Sequence, residues 1–325
     1  MATSSLTYST LSSSIHRLSK SHTKLITTHI PFNLSKVNHS TNVLKTTNLG
    51  GFGTYHNRFS CRTKCSMMST AATTEKNKKE VEVFDSEEDL AVSLAKYTAD
   101  LSDKFAKERG SFSVVLSGGS LIKSLRKLVE PPYIDSIDWS KWHVLWADER
   151  VVPKDHADSN YKLAFDAFLS RVPILPGNVY AINDALSAEG AADDYETCIK
   201  HLVNIKVVDA SPSGFPKFDL TLLGMGPDGH VASLFPGHPL VNEKEKWATS
   251  ITDSPKPPPE RITFTFPVIN SSAYVALVVC GTGKADVVQK ALGKNENPDV
   301  VLPVQMVSPE GELKWFLDKG AASKL

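Results

Sequence analysis

Residues 218–239 read Phe218-Asp219-Leu220-Thr221-Leu222-Leu223-Gly224-Met225-Gly226-Pro227-Asp228-Gly229-His230-Val231-Ala232-Ser233-Leu234-Phe235-Pro236-Gly237-His238-Pro239. The stretch opens with an apolar run of buried-strand length. Three glycines and a proline then fall within the seven residues Gly224–His230. No helix or strand interior tolerates that density of breakers, so the strand must end in a tight, shaped turn. Val231 to Leu234 reads as a short helical turn, stopped by Phe235-Pro236-Gly237. A strand that empties into a glycine turn and then a helix start lies at the carboxyl edge of a parallel sheet, where open α/β folds bind ligands. Asp228 and His230 sit on that turn, two residues apart. A carboxylate beside an imidazole orients it and raises its basicity, as a general base requires. The plain alternative is a capping Asp and a surface His in an ordinary loop.

The same pattern repeats along the chain. Val81-Glu82-Val83-Phe84 alternates like a strand, and Ser86 with Glu87, Glu88 and Asp89 offers a helix N-cap followed by acids in the first turn. Leu90, Leu94, Tyr97, Leu101 and Phe105 give that helix an apolar face, and Gly110 ends it. The strand Ser111–Leu116 runs into Ser117-Gly118-Gly119-Ser120 and a helix stopped by Pro131-Pro132. Glycines between strand and helix let backbone N–H groups point at an anion, although a simple tight turn has the same composition. The strand Trp142–Trp146 ends in Ala147-Asp148-Glu149-Arg150-Val151-Val152-Pro153. Asp158-Ser159-Asn160-Tyr161 reads as a helix start, and Ser187 to Ile205 as a further helix with an apolar stripe on which Cys198 and His201 are packing residues. Ser254–Glu260 is a stiff proline-rich connection, followed by the β-like run Arg261–Phe266. The strand Ala273–Cys280 leads to Gly281-Thr282-Gly283-Lys284 at a helix start, where a lysine opposes the helix dipole and hints at a bound anion. Leu302–Val307 and Glu312–Asp318 read as closing β segments. Strands alternating with helices predict an α/β fold, a mostly parallel sheet covered by helices on both faces, in a single domain over residues 75–325.

Composition narrows the function. None of the 36 Asp and Glu residues but eight of the 36 Lys and Arg residues fall within residues 1–74, so the body carries a net charge of about −8. Such a body is no nucleic-acid binder by default, and any anionic ligand needs local positive charge. Four cysteines without C-x-x-C spacing imply neither a disulfide framework nor a zinc site. No apolar run reaches the roughly 18 residues that span a bilayer, so no membrane partner is expected. Residues 1–74, rich in Ser and Thr and free of acid, have the composition of a disordered plastid transit peptide. The chain closes on Ser323-Lys324-Leu325 after the small residues Gly320-Ala321-Ala322. That tripeptide is a peroxisomal address when it is free to be gripped. Import receptors at both termini are therefore expected partners, with a chloroplast location and a minor peroxisomal pool.

The stretch Gly224–Pro239 closely resembles the signature of 6-phosphogluconolactonases, relatives of the glucosamine-6-phosphate isomerase/deaminase group. Ser117–Ser120, Trp146–Pro153, the Ser159-Asn160-Tyr161 element and Arg261-Ile262-Thr263 match the same family in the same order, over roughly residues 80–319. The Thr-Pro that usually follows the phosphate loop is replaced here by Leu121-Ile122. The resemblance implies the isomerase/lactonase fold and hydrolysis of 6-phospho-D-glucono-1,5-lactone, without cofactor or metal. It implies His230 as base, Asp228 orienting it and Asp148 near the lactone ring. Ser117, Gly118, Gly119 and Ser120 would cradle the phosphate, with Arg150, Arg261 and Lys284 as anion or substrate contacts. A deaminase or isomerase relative shares the Asp-Gly-His turn but carries an acid shortly after it. Ser233-Leu234-Phe235-Pro236-Gly237 has none. A non-catalytic sugar-phosphate sensor would be expected to carry a degraded turn, and this one is intact.

Overall fold

The computed structural model describes residues 79–293 and 301–325, and the transit-peptide reading falls outside them. The described residues fall within one compact unit. Its strands are β1 (Lys79–Phe84), β2 (Phe112–Leu116), β3 (Trp142–Trp146), β4 (Asp148–Arg150), β5 (Asp209–Ala210), β6 (Pro216–Lys217), β7 (Leu220–Leu223), β8 (Ala248–Ile251), β9 (Arg261–Phe264), β10 (Tyr274–Val279) and β11 (Glu312–Asp318). The helices are α1 (Glu87–Arg109), α2 (Ser120–Ser124), α3 (Tyr133–Ser136), α4 (Asn160–Ala167), α5 (Ala188–Asn204), α6 (Phe266–Asn270) and α7 (Ala285–Leu292).

Six strands form one sheet in the order β1-β11-β10-β7-β2-β3, and every pair in it is parallel. Burial on both faces explains why β2 and β7 are buried at every position and mostly apolar rather than alternating, with Ser113 and Thr221 as their polar residues. One face packs Leu90, Leu94, Leu116 and Phe168 against Leu220 and Leu222. The other packs Ala191, Tyr195, Ile199 and Leu202 of α5 against Leu145, Leu223 and Leu277. Ser86 caps α1 by accepting from Asp89 N, and Gly110 closes it in the left-handed region at φ 77°, as the sequence predicts.

The chain passes from β2 outward to β3, then returns to the other side of β2 as β7. The loops leaving β2 and β7 therefore diverge from neighbouring strands, which opens a crevice at the carboxyl edge of the sheet. A smaller antiparallel sheet, β4-β9-β8, holds Asp148, Glu149 and Arg150 against Arg261–Thr263 at this edge.

Four local expectations are corrected. Val231–Leu234 is not a helical turn: Leu234 N donates to Val231 O at 2.9 Å and Ala232 takes φ 49°, a tight left-handed reversal. Leu302–Val307 contains a 3-10 turn at Pro303–Met306 rather than a β segment, because Pro303 has no N–H for a ladder. His201 is exposed on α5, whereas Cys198 is half-buried against the core. The tail is not loose: Ala321 is buried, its N–H donates to Asp318 Oδ1 at 2.7 Å, and Lys324 pairs with Asp286.

Candidate active site

The site forms where the loops after β2, β3, β7 and β10 converge. A pocket of about 220 Å³ there is lined by Ser117–Ser120, Asp148, Arg150, Asn160, His230, Arg261 and Lys284 among others. All of the site residues picked out by sequence except Asp228 line it, and Asp228 stands directly behind His230.

The turn after β7 is shaped around one pair. His230 Nδ1 donates to Asp228 Oδ1 at 2.5 Å, and Gly226 N donates to His230 O at 2.9 Å while Gly229 N donates to Gly226 O at 3.0 Å. A Cβ on Gly226 would lie 2.0 Å from both Cε1 and Nδ1 of His230, so only glycine leaves room for the ring. Gly229 supplies the left-handed residue at φ 84° that the reversal needs. With Nδ1 committed to Asp228, Nε2 has no hydrogen-bond partner among the described residues and is the nitrogen left for chemistry. Burial lowers the His230 pKa below the ordinary imidazole range and outweighs the upward pull of Asp228. Burial raises the Asp228 pKa, but its bond to His230 and the charges of His230 and Lys256 outweigh that and hold the carboxyl below its usual range.

Asp148, at the start of β4, is buried. Its Oδ2 accepts from Ser233 Oγ at 2.8 Å, and its backbone O accepts from Asn160 Nδ2 at 2.9 Å. The next residue does a different job. Glu149 accepts at 2.7 Å from the N–H groups of Arg150, Asn160 and Tyr161 and from Ser159 Oγ at 3.2 Å. It thereby satisfies the free donors at the start of α4 and seats Asn160 in the pocket. Burial nonetheless pushes the Glu149 carboxyl up to about 7. Asn160 in turn explains Gly118, where a Cβ would lie 1.9 Å from Asn160 Oδ1. Beside it Ser117 Oγ is buried without a partner among the described residues, a polar group aligned with a pocket that would take a polar ligand.

The three cations differ. Arg150 spends one donor on Asp158 O at 2.7 Å, and its Nε is buried without a partner among the described residues. Lys284 donates to Met225 O at 2.7 Å, and burial lowers its pKa. Arg261 is more heavily engaged: Nε and Nη2 donate to the carbonyls of Pro258, Lys256 and Pro257 at 2.7–3.0 Å. Lys256, Asn160 and Ser233 also belong to the site, beyond the residues that the sequence points to. The Ser-Asn-Tyr motif was the available signal for Asn160; Lys256 and Ser233 offered none. A larger groove of about 980 Å³, lined by Lys104, Arg109, Asp219 and Tyr274 among others, lies at the opposite, amino-terminal edge of the strands. Its charges are mixed and its Arg109 is already paired with Asp219, so the chemistry belongs to the smaller pocket. Among the described residues no cluster of His, Cys, Asp or Glu is placed to hold a metal ion, and no helix is long and apolar enough to cross a membrane.

A parallel sheet with an Asp-Gly-His turn at its switch point defines an α/β class with a small polar pocket at the carboxyl edge. The chain belongs to the glucosamine-6-phosphate isomerases/6-phosphogluconolactonase family, whose model matches residues 85–315. It is 68% identical over 276 residues to 6-phosphogluconolactonase 3, chloroplastic, of Arabidopsis thaliana, covering 85% of this chain and 84% of the relative. It is 73% identical over 248 residues to a probable 6-phosphogluconolactonase 4, chloroplastic, of Oryza sativa subsp. japonica, covering 76% of each. The crystal structure of 6-phosphogluconolactonase from Thermotoga maritima matches with a TM-score of 0.63 at 29% identity, over 74% of this chain and all of that one.

Proposed function

We propose that this chain hydrolyses 6-phospho-D-glucono-1,5-lactone to 6-phospho-D-gluconate, the lactone-opening step of the oxidative pentose phosphate pathway. The observation that carries the reading is the Asp228–His230 pair presented to a pocket that also holds Arg150, Lys284 and the Ser117 hydroxyl, which has no partner among the described residues. The names of relatives at 68% and 73% identity support it.

In this reading Nε2 of His230 takes a proton from water as its oxygen adds to the lactone carbonyl, and Asp228 stabilises the imidazolium that forms. The tetrahedral intermediate carries its charge on the former carbonyl oxygen, and N–H and cationic donors around the pocket offset it. Collapse breaks the bond from the carbonyl carbon to the ring oxygen. The imidazolium returns its proton to that oxygen, giving a hydroxyl and a carboxylic acid that ionises in water. Arg150, Lys284 and the Ser117–Ser120 backbone hold the phosphate and so fix the ring over His230. Asp148, anchored by Ser233, borders the ring. No acid follows the turn at Ser233–Gly237, which separates this site from the ring-opening deaminase chemistry.

Initial rates on freshly generated 6-phosphogluconolactone, above the uncatalysed background, test the proposal against glucosamine 6-phosphate and unphosphorylated gluconolactone. Rapid hydrolysis of the phosphorylated lactone alone is expected, with Arg150→Ala narrowing the preference for phosphate. Turnover of glucosamine 6-phosphate instead would overturn it.

The chloroplastic relatives support a plastid location. The minor peroxisomal pool rests on Ser323-Lys324-Leu325 alone, and engaging an import receptor there would require the Lys324–Asp286 pair to open. A fluorescent protein fused at the N-terminus should reveal that pool, and deletion of Leu325 should abolish it. Diffuse cytosolic signal from the same fusion would remove the peroxisome from the account.

A further inference from the structure

The proline-rich connection at Ser254–Glu260 reads from the sequence as a stiff connection, but in the fold it is tied down. Arg261, buried at 3% exposure, donates to three consecutive carbonyls of the loop, those of Lys256, Pro257 and Pro258. Ser254 Oγ donates to Lys256 O at 2.9 Å and accepts from Lys256 N at 3.3 Å. The backbone of Lys256 is thus fixed on both sides, and its side chain reaches the catalytic turn. Nζ donates to Asp228 Oδ1 at 3.3 Å and lies 3.3 Å from His230 Nδ1.

A carboxylate beside an imidazole orients the ring, but it also favours the imidazolium, which cannot act as a base. His230 faces two such carboxylates, Asp228 on its own turn and Asp148 on β4. The proline loop brings Lys256 against the pair, and Lys284, from the loop after β10, lines the pocket close enough to feel the charges of Lys256 and Asp228. Arg150 and Arg261 line the same pocket. Phe235 covers the ring, its centroid 4.7 Å from that of His230. Of the cations, Lys256 is the one in contact with both Asp228 and His230.

We infer that Lys256 is a positioning residue for the reaction proposed above: its ammonium, held beside Asp228 and His230 by the Arg261-clamped loop, keeps the resting imidazole neutral, while Asp228 holds the ring proton on Nδ1 and leaves Nε2 free. The inference rests on the lactonase reading for its kinetic consequence and on geometry alone for its effect on His230. Lys256 removes the cost of placing a general base beside two carboxylates, so the pair keeps its orientation without filling with protons at neutral pH.

The test compares wild type, Lys256→Met and Lys256→Arg, all checked for folding by circular dichroism. The pH profile of kcat/KM is followed between about pH 5 and 8, where an imidazole titrates. NMR titration of the His230 ring is run in parallel. Lys256→Met should move the acidic limb and the His230 titration upward together by about one pH unit, while Lys256→Arg keeps both near wild type. Should Lys256→Met fail to fold, Lys256→Gln is read the same way. Unmoved titrations with a raised KM would overturn the inference and make Lys256 a substrate contact. Equal losses in the Met and Arg variants without a shift would also overturn it, in favour of a packing role. If wild type leaves the lactone untouched, the functional reading fails, and the NMR titration still decides the role of Lys256.

Discussion

Ser233 Oγ donates to Asp148 Oδ2 across 2.8 Å, joining two segments 85 residues apart in the chain. This bond fixes the turn after β7 to the edge of the small sheet, and the backbone agrees with it: Ser233 N donates to Thr263 Oγ1 at 3.2 Å. Asp148 is buried, so the hydroxyl is a partner that water cannot readily replace. Ser233→Ala is expected to lower kcat/KM about tenfold, the loss of a hydrogen bond to a charged group, with circular dichroism unchanged. An unaltered kcat/KM would show that Asp148 does not need this anchor.

The close approach at Gly226 gives a second expectation. A methyl group there overlaps the His230 ring at 2.0 Å and Asp228 Oδ1 at 2.5 Å, so the catalytic pair must move while the surrounding sheet need not. Gly226→Ala should reduce kcat/KM by about 10²-fold, the usual consequence of a misplacement near 1 Å. Its Tm should stay within a few degrees of wild type. A fully active Gly226→Ala would mean that the His230 position seen here is not the working one.

Much of this was legible in the chain itself. The glycines around Asp228 and His230 stand out because each answers a local need, room for a ring at Gly226 and a left-handed residue at Gly229. The caps of α1 and the buried strands β2 and β7 follow from periodicity and side-chain type for the same reason. Where long-range contacts decide, the reading failed. Ala232 leaves the helical region in a turn whose next residue, Ser233, is tied to Asp148 and Thr263, neither of them near in sequence. Glu149 looked like part of a charged strand exit, whereas it caps a helix that starts eleven residues later. Lys256 lies within a stretch that reads only as a stiff connection, because its placement depends on Arg261 gathering the loop carbonyls. The insertion of β11 between β1 and β10 likewise joins the two ends of the fold, which no local pattern announces.

Glu149 also sets a pH dependence of stability. Its folded pKa is raised to about 7 from an ordinary 4.5, so between those values the folded chain holds a proton that the unfolded chain has lost. Stability from this group is therefore present at low pH and declines as pH rises through the window. Glu149→Gln keeps an acceptor but cannot ionise. It should gain on wild type by on the order of 1–3 kcal/mol as pH is raised from about 5 to 8, read by denaturant unfolding. A constant difference across that range would show that Glu149 ionises normally.

His230 is the hinge of the whole account. Its Nδ1 is committed to Asp228 and its Nε2 is left for the reaction. The most direct measurement is the turnover of 6-phosphogluconolactone by His230→Ala, above the uncatalysed background and beside wild type, with folding confirmed by circular dichroism. The account predicts a folded protein whose kcat falls by about 10²–10⁴-fold, the contribution of a positioned acid–base group. A folded His230→Ala variant with near wild-type turnover would contradict it.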